Sequence, residues 1–327
     1  MDNDLRIIRR MRGLPGDKSL AAGLCNYTSR VINIDPQGRV FICLCEAWLP
    51  WAVGNVMDFN DIESVFRSAV AVEIRQSQDA GAYSFCDTTH CEIAQFPRHS
   101  DGIQLYIGID DSCQLACPSC RKEKFFESEN QAKAPWIDRI VSWVQSSNEP
   151  VRILIGAHGD PLASPFYRSI IGRLRDPRVT FQLKTNGLLL YRYLDELGIA
   201  SQISELEISI DAATADTYQN LRRPAHWEDL ERNLEYLRDL RTRCNFDVKA
   251  NFVVQQGNFQ EMPGFVDFCD RENFTPMFML LQDWHTIDHR QHAVHRKQHL
   301  QHREFLAVLK DPKVVKHIGN RFDHWTT

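Results

Sequence analysis

The chain has 327 residues, of which 43% are hydrophobic and 25% charged, and its formal net charge is -5 at pH 7. These values are ordinary for a globular protein and include no basic patch for a nucleic-acid groove or a membrane surface. No apolar run approaches the ~20 residues of a membrane span, and the N-terminus lacks the apolar core of a signal peptide. We therefore expect a cytoplasmic protein that binds neither nucleic acid nor membrane.

The ten cysteines are distributed unevenly. In a cytoplasmic protein of this size, grouped cysteines indicate metal or redox chemistry rather than disulfides. The first hundred residues hold one group, a tight run forms a second, and two cysteines stand apart: Cys25, Cys43, Cys45, Cys86 and Cys91; Cys113, Cys117 and Cys120; Cys244 and Cys269.

Residues 1–100 have the composition of a small separate module. Val31–Asn33, a turn at residues 35–38 and a strand over Arg39–Leu44 predict a hairpin, and Ile62–Arg75 predicts a helix. The turn-rich segment Phe96–Asp101 marks its boundary. The predicted domains are residues 1–100, residues 101–290 and a C-terminal helical extension over residues 291–327.

From residue 104 onward, β-rich runs alternate with helical patterns, as in a parallel sheet with crossover helices. The predicted strands are Gln104–Asp110, Arg152–Ala157, Phe181–Thr185, Glu205–Asp211, Asp247–Val254 and Phe278–Leu281. The predicted helices are Trp136–Gln145, Pro165–Arg175, Leu190–Leu197, Trp227–Thr242 and Gln260–Arg271. Six units are fewer than a closed barrel needs, so the fold class is α/β with a partial (β/α)6 barrel. Its chemistry should lie where strands end.

Cys113, Cys117 and Cys120 follow the first of these strands in the order CxxxCxxC. Three thiolates around one corner of a cuboidal cluster leave the fourth iron free for another ligand. The alternative is a structural zinc site, which needs a fourth Cys or His close by, and none occurs within the next 30 residues.

This segment resembles the radical S-adenosylmethionine (SAM) superfamily. The resemblance implies that the open iron binds SAM and that a 5′-deoxyadenosyl radical abstracts hydrogen from a substrate. Later strand ends continue it in 156-GAHGDPL-162, 184-KTNG-187, 209-SIDAAT-214 and 251-NFVVQQGN-258. The SAM-binding residues that it implies are Gly159, Asp160, Thr185, Asn186, Ser209, Asp211, Arg222 and Val254. The chain departs from the family pattern at Asp160, where Glu is usual, at His158 and at Ser119.

The N-terminal cysteines are similar to the SPASM and twitch modules of radical SAM enzymes, although that module normally follows the barrel. The similarity implies a second [4Fe-4S] cluster on Cys25, Cys43, Cys86 and Cys91. Cys43 and Cys45 should share one side of an extended strand, so either is a candidate ligand. A structural zinc site on four cysteines is the alternative.

Other residues have less specific signals. Trp284 and His285 follow the last predicted strand and are candidates to reach the substrate. Cys45, when it is not a ligand, is a candidate hydrogen donor. Cys244 and Cys269 are expected to be structural. Six histidines between positions 285 and 302 recur at helical spacing, which predicts one face of a solvated helix.

The function expected from the resemblance is abstraction of hydrogen from a C–H bond, with epimerisation or dehydrogenation of a sugar or aminocyclitol-like small molecule. The enzyme would be an oxidoreductase or an isomerase, with SAM and two [4Fe-4S] clusters as cofactors. A flavodoxin or ferredoxin would supply electrons. Radical modification of a ribosomal peptide is one alternative, and an electron-transfer protein without enzymatic activity is another.

Overall fold

The computed structural model describes residues 20–46, 48–91, 97–127, 131–156 and 158–318. Phe96 of the predicted boundary and Ala157 of a predicted strand lie outside these ranges, as do residues 1–19 and 319–327 of the predicted domains. The strands are β1 (Val31–Ile34), β2 (Arg39–Phe41), β3 (Gly54–Asn55), β4 (Ile103–Ile107), β5 (Val151–Ile155), β6 (Val179–Thr185), β7 (Ile203–Ser209), β8 (Asp247–Val254) and β9 (Thr275–Leu280).

Among the described residues, three α-helices precede β4, and from β4 onward α-helices alternate with the strands. They are α1 (Ile62–Phe66), α2 (Ala69–Asp79), α3 (Thr88–Cys91), α4 (Ala134–Ser146), α5 (Pro165–Arg173), α6 (Leu190–Leu197), α7 (Ala215–Leu221), α8 (Trp227–Arg243), α9 (Met262–Glu272), α10 (His289–His292), α11 (His302–Val308) and α12 (Pro312–Ile318). Within the described residues, no helix combines the length and the apolar character needed to span a bilayer.

The chain divides into two compact units, each built from several segments. The first contains residues 1–109, 130–157 and 173–180, and the second contains residues 110–129, 158–172 and 181–327. The predicted boundaries between functional domains, at residues 100 and 290, stay a prediction.

The first unit joins the N-terminal hairpin to the barrel strands. Its strand order is β3-β2-β1-β4-β5, in which β1 pairs antiparallel with β2 and parallel with β4. The hairpin turn is held by Asp35, whose Oδ1 accepts hydrogen bonds from the backbone of Gln37 and Arg39 at 2.9 and 2.8 Å. Gly38 has φ +74, and a Cβ there would lie 2.8 Å from Trp136. Only glycine fits this turn.

The second unit contains the parallel strands β6-β7-β8-β9. One face of this sheet is apolar: Phe252 on β8 packs against Phe265 on α9 with ring centroids 4.8 Å apart, and Phe278 on β9 joins them. The alternate positions carry polar side chains, because successive residues of a strand point to opposite faces. These polar residues are Gln182, Lys184, Glu205, Glu207, Lys249 and Asn251.

The predicted fold class is confirmed. Within the described residues, the fold is α/β with a mostly parallel sheet whose strand pairing does not close on itself, and β4 to β9 begin the six predicted β/α units. The strand Asp247–Val254 and the helix Leu190–Leu197 have the predicted bounds.

Three local predictions are wrong. The strand predicted over Arg39–Leu44 ends at Phe41, so Cys43 and Cys45 do not lie on an extended strand. The helix predicted over Ile62–Arg75 is divided, because Ser68 begins a new helix and its Oγ accepts a hydrogen bond from the backbone of Ala71 at 3.4 Å. The histidine-rich segment contains only the short helix α10 before α11 begins at His302, so its histidines do not share one helix face.

Candidate functional site

The three cysteines that follow β4 lie in one loop of the second unit. Cys113 pairs through its backbone with Phe125, with N···O distances of 2.7 and 3.2 Å. The carbonyl of Cys117 accepts hydrogen bonds from the backbone of Cys120 and Arg121 at 2.9 and 3.0 Å. Cys117 is buried, Cys120 is exposed, and all three are free thiols. These backbone hydrogen bonds therefore fix the loop that carries the three thiols.

Asp110 fixes the base of this loop. Its Oδ1 accepts hydrogen bonds from the backbone and the hydroxyl of Ser112 at 2.8 Å each, and its Oδ2 accepts one from Ser164. The Tyr167 hydroxyl donates to the carbonyl of Asp110 and accepts from its backbone N–H, both at 2.9 Å. Asp110 is fully buried, so it orders the loop rather than facing a ligand.

Gly159 lies directly against the cysteine loop. Its φ is +64, and a Cβ there would lie 2.6 Å from the carbonyl oxygen of Ser112 and 2.7 Å from that of Asp110. The next residue, Asp160, donates its backbone N–H to Ser112 at 2.8 Å. The glycine of the motif is therefore required by close backbone approach.

The carboxylate of Asp160 joins this loop to the end of β6. One oxygen accepts hydrogen bonds from the Thr185 hydroxyl and the Asn186 backbone at 2.8 Å each, and the other accepts from Leu162 and Ala163 at 3.0 and 3.2 Å. Burial raises its pKa, although these four donors act in the opposite direction. All of the donors belong to the chain, so the carboxylate positions the loop.

Asn186 continues this network to the first cysteine. Its side-chain nitrogen lies 3.8 Å from the sulfur of Cys113 and 3.1 Å from Oε1 of Gln114, while Gln114 Nε2 donates to Asn186 Oδ1 at 2.9 Å. The turn after β6 and the cysteine loop are thereby held together. Gln114 has no signal in the sequence, because glutamine in a loop is common.

Asp211, which follows β7, and Arg222, which follows α7, form an ion pair. Arg222 Nη1 lies 3.1 Å from Asp211 Oδ2, and the other carboxylate oxygen accepts from the backbone of Val253 at 2.7 Å. Burial acts to lower the pKa of Arg222, but Cys117 and Asp211 outweigh it and the pKa is raised. Arg223, the next residue, accepts the backbone N–H of Ala116 at 2.7 Å. A cation is thereby fixed next to the second cysteine.

Two buried polar atoms near this pair have no hydrogen-bond partner among the described residues. They are Nε of Arg222 and the hydroxyl of Tyr218. An unsatisfied buried donor costs roughly 1–3 kcal/mol, so such atoms often mark places that a ligand completes.

The remaining predicted SAM-binding residues lie at strand ends. Ser209 is the last residue of β7 and is paired in register with Asn251 on β8. Val254 is the last residue of β8 and is fully buried. Asn258, which ends the predicted segment 251–258 but was not itself predicted to bind SAM, donates from Nδ2 to the carbonyls of Asp211 and Val253 at 2.9 and 3.0 Å.

The donor set of the loop suits an iron–sulfur cluster. Burial raises the pKa of Cys113 to about 11, with Asp160 adding to the effect, and burial also raises the pKa of Cys117. Such thiols are protonated at neutral pH, and a metal would displace those protons on binding. Among the described residues, no group of three His, Cys, Asp or Glu is arranged around a single ion.

Comparison with known proteins identifies the region. Residues 109–269, which contain the cysteine loop, the Gly159–Asp160 loop and the Arg222 pair, match the model of the radical SAM superfamily. This region is a radical SAM domain. The family implies SAM and one [4Fe-4S] cluster as cofactors.

Relatives of the chain that share sequence with the radical SAM domain are named for different activities. The chain is 25% identical to the GTP 3',8-cyclase of a Synechocystis species over 67% of this chain and 65% of the relative. It is 29% identical to the AdoMet-dependent heme synthase of Methanosarcina barkeri over 46% of this chain and 42% of the relative. The chain therefore spans less than two thirds of either relative.

Solved structures are similar at a lower level. anSMEcpe with bound AdoMet matches with a TM-score of 0.40 and 16% identity over 55% of this chain and 51% of that one. Streptococcus suis SuiB matches with a TM-score of 0.45 and 14% identity over 79% of this chain and 59% of that one.

Outside the radical SAM domain, the first unit holds a second group of thiols. Cys25, Cys43, Cys86 and Cys91 line one cavity, together with Tyr27, Thr28, Trp48, Leu49, Gln78 and Arg98. All four are free, and burial raises the pKa of each, that of Cys43 and Cys86 to about 12. Cys45 does not line this cavity, although its backbone contacts Cys43.

Trp284 and His285 lie on the surface. The side chain of Trp284 is 66% exposed, and the ring of His285 is 89% exposed and lies 3.2 Å from Asp283. The contacts that fix the cysteine loop do not involve them. Cys269 is buried in α9, and Cys244 ends α8. The roles predicted for these residues stay predictions.

Proposed function

We propose that this chain is a radical SAM enzyme in which Cys113, Cys117 and Cys120 bind a [4Fe-4S] cluster that leaves one iron for SAM. The observation that carries the proposal is the attachment of one loop with three free thiols to residues 159 and 160 through Gly159 and Asp160, and to the turn after β6 through Asn186. When bound, the cluster and SAM supply one electron and a 5′-deoxyadenosyl radical.

The residues around the loop have distinct tasks in this proposal. Arg222 supplies a buried cation with a free Nε, suited to the carboxylate of SAM. Asp160 and Thr185 order the loop after β5, and Gly159 lets it approach the cysteines. Ser209, Asp211, Asn186 and Val254 complete the SAM site at the strand ends.

A second [4Fe-4S] cluster is proposed for Cys25, Cys43, Cys86 and Cys91. The common cavity of the four thiols supports this set and favours Cys43 over Cys45 as the ligand. Four thiolates close a cluster completely, so its task would be electron transfer. Cys45 remains available as a hydrogen donor.

The proposed substrate is a sugar or aminocyclitol-like small molecule that is epimerised or dehydrogenated. The polar face of β6, β7 and β8 supports a substrate rich in hydroxyl or amino groups. On it, Glu205 pairs with Lys249 at 2.6 Å, Lys184 lies 3.6 Å from Glu207, and Gln182 donates to both carboxylates. A face lined in this way hydrogen-bonds a polar molecule better than an apolar one. A flavodoxin or ferredoxin would reduce the enzyme in the cytoplasm.

Product mass tests the reaction once a substrate is found. In H2O, dehydrogenation lowers the product mass by two hydrogens and epimerisation leaves it unchanged. In D2O, only epimerisation introduces deuterium into the product. If the protein converts a peptide but no sugar, a peptide replaces the sugar-like molecule as the proposed substrate. If the protein carries its clusters but does not cleave SAM, the result favours the electron-transfer alternative.

A further inference from the structure

The cavity lined by the four N-terminal thiols also receives two hydrogen-bond donors that are not cysteines. Gln78 on α2 directs Nε2 at the sulfur of Cys86, at 3.5 Å. Arg98 lies beside Cys91, with Nη2 3.1 Å from its carbonyl oxygen. Both residues line the cavity. Gln78 and Arg98 are not among the proposed ligands of the cluster, but they lie beside the ligand residues.

Gln78 is held in one orientation. It is buried, and its Oε1 accepts a hydrogen bond of 2.6 Å from the hydroxyl of Thr28, which is also buried. Since the oxygen of the amide is occupied by Thr28, the nitrogen is the end that faces Cys86. The fixed amide therefore presents a donor to the sulfur.

Arg98 is held in place by its backbone, by Trp48 and by the carbonyl of Cys91. Its backbone bridges to Cys25, where Asn26 N donates to Arg98 O at 3.0 Å. Its guanidinium carbon lies 4.9 Å from the centre of the Trp48 ring. Its Nε is buried without a hydrogen-bond partner in the described part of the chain. A cation with a spare donor is thus fixed at the edge of the thiol cavity.

We propose that Gln78 and Arg98 raise the reduction potential of the auxiliary cluster by donating hydrogen bonds to its ligand sulfurs and by placing a positive charge next to it. The inference rests on the proposed second cluster. Reduction adds one negative charge to a cluster, so a nearby donor or cation stabilises the reduced form more than the oxidised form. The two residues are positioning residues for electron transfer and do not ligate the metal.

The experiment uses the full-length chain with Cys113, Cys117 and Cys120 all replaced by Ala, so that only the auxiliary cluster remains. The protein is reconstituted without oxygen and titrated with dithionite, and the reduced cluster is followed by electron paramagnetic resonance. Gln78→Glu keeps the acceptor for Thr28 but removes the amide donor and adds negative charge. Arg98→Gln removes the cation, and Arg98→Lys restores it.

We expect Gln78→Glu and Arg98→Gln each to lower the ratio of reduced to oxidised cluster at a fixed potential by about tenfold, which equals roughly 59 mV for one electron. Arg98→Lys should recover part of that shift. Gln76→Glu is the matched control, because it makes the same change at an exposed position of the same helix, and it should leave the potential unchanged.

The outcomes are distinguishable. A fully loaded cluster whose potential is the same in Gln78→Glu, Arg98→Gln and the parent protein overturns the inference while leaving the second cluster intact. A parent protein that binds no iron after loss of the other three cysteines overturns the auxiliary cluster itself. Circular dichroism of each variant separates a change of potential from a failure to fold.

Discussion

Arg222 Nη1 lies 3.1 Å from Oδ2 of Asp211, and both side chains are almost completely buried. The pair joins the segment after β7 to the residue that ends α7, next to the carbonyl of Arg223 that holds the cysteine loop. Arg222 neutralises a buried carboxylate, and in the proposed function it also offers its remaining donor to SAM.

Replacing Arg222 separates these two roles. Arg222→Gln leaves the Asp211 carboxylate buried without its cation, which costs about 3–5 kcal/mol of unfolding free energy. The double variant Asp211→Asn with Arg222→Gln should regain most of this stability, measured by chemical denaturation. Its dissociation constant for SAM should still rise at least about tenfold, or ~1.4 kcal/mol, in anaerobic equilibrium dialysis. A stable double variant with unchanged SAM affinity would remove both Arg222 and Asp211 from the SAM site.

Gly159 sets the distance between its loop and the cysteines. Gly159→Ala places a Cβ at φ +64 and 2.6 Å from the Ser112 carbonyl, so it should cost about 1–3 kcal/mol and weaken iron binding at the Cys113 loop. Gly172→Ala is the control, since its Cβ would meet Leu197 at an ordinary 3.6 Å. Iron content and thermal unfolding check both variants. Equal iron loading in the two would show that close approach at Gly159 is unnecessary.

The strand and helix pattern of the barrel region could be read from the sequence because period-2 and period-3.6 patterns are local. β8 has the predicted bounds, and β6 differs only at its start, which is Val179 instead of Phe181. The partner of a strand is not local, however. The parallel pairing of β1 with β4 joins residues more than seventy positions apart, and no pattern in either strand specifies it.

The candidate site was predictable where a residue carries chemistry of its own. The cysteine loop and the Gly159–Asp160 motif combine residue type with position after a strand. The side-chain roles of Asn258 and Gln114 were not predicted, because amide side chains act through their contacts, which only the fold provides. The histidine spacing gave a wrong prediction of one helix face, because three- and four-residue steps also occur in the turns between α10 and α11.

His295 predicts how stability depends on pH. Burial lowers its pKa to about 4, and the neighbouring His289 and Arg296 act in the same direction. The unfolded chain protonates this residue near pH 6.5, whereas the folded chain does so only near pH 4. The free energy of unfolding should therefore fall as pH drops from about 6.5 to 4. His295→Gln should lose less stability over that interval in urea titrations, and an identical pH profile would contradict the shift.

Cys43 and Cys45 should behave differently when each is replaced by Ala. Cys43→Ala removes a thiol that lines the four-cysteine cavity, so the auxiliary cluster and about four irons per chain should be lost. Cys45→Ala should keep both clusters, because this thiol lies outside the cavity lining. Iron and sulfide analysis after anaerobic reconstitution gives the comparison. Loss of iron in Cys45→Ala alone would reverse the assignment.

Reductive cleavage of SAM tests the central claim most directly. Anaerobically reconstituted protein, treated with dithionite and SAM, should release 5′-deoxyadenosine that is detected by liquid chromatography and mass spectrometry. Cys117→Ala should abolish the release, whereas Cys269→Ala, at a buried thiol in α9, should leave it unchanged. Wild-type protein that carries its iron yet releases no 5′-deoxyadenosine, or that binds zinc at Cys113, Cys117 and Cys120, would contradict the account.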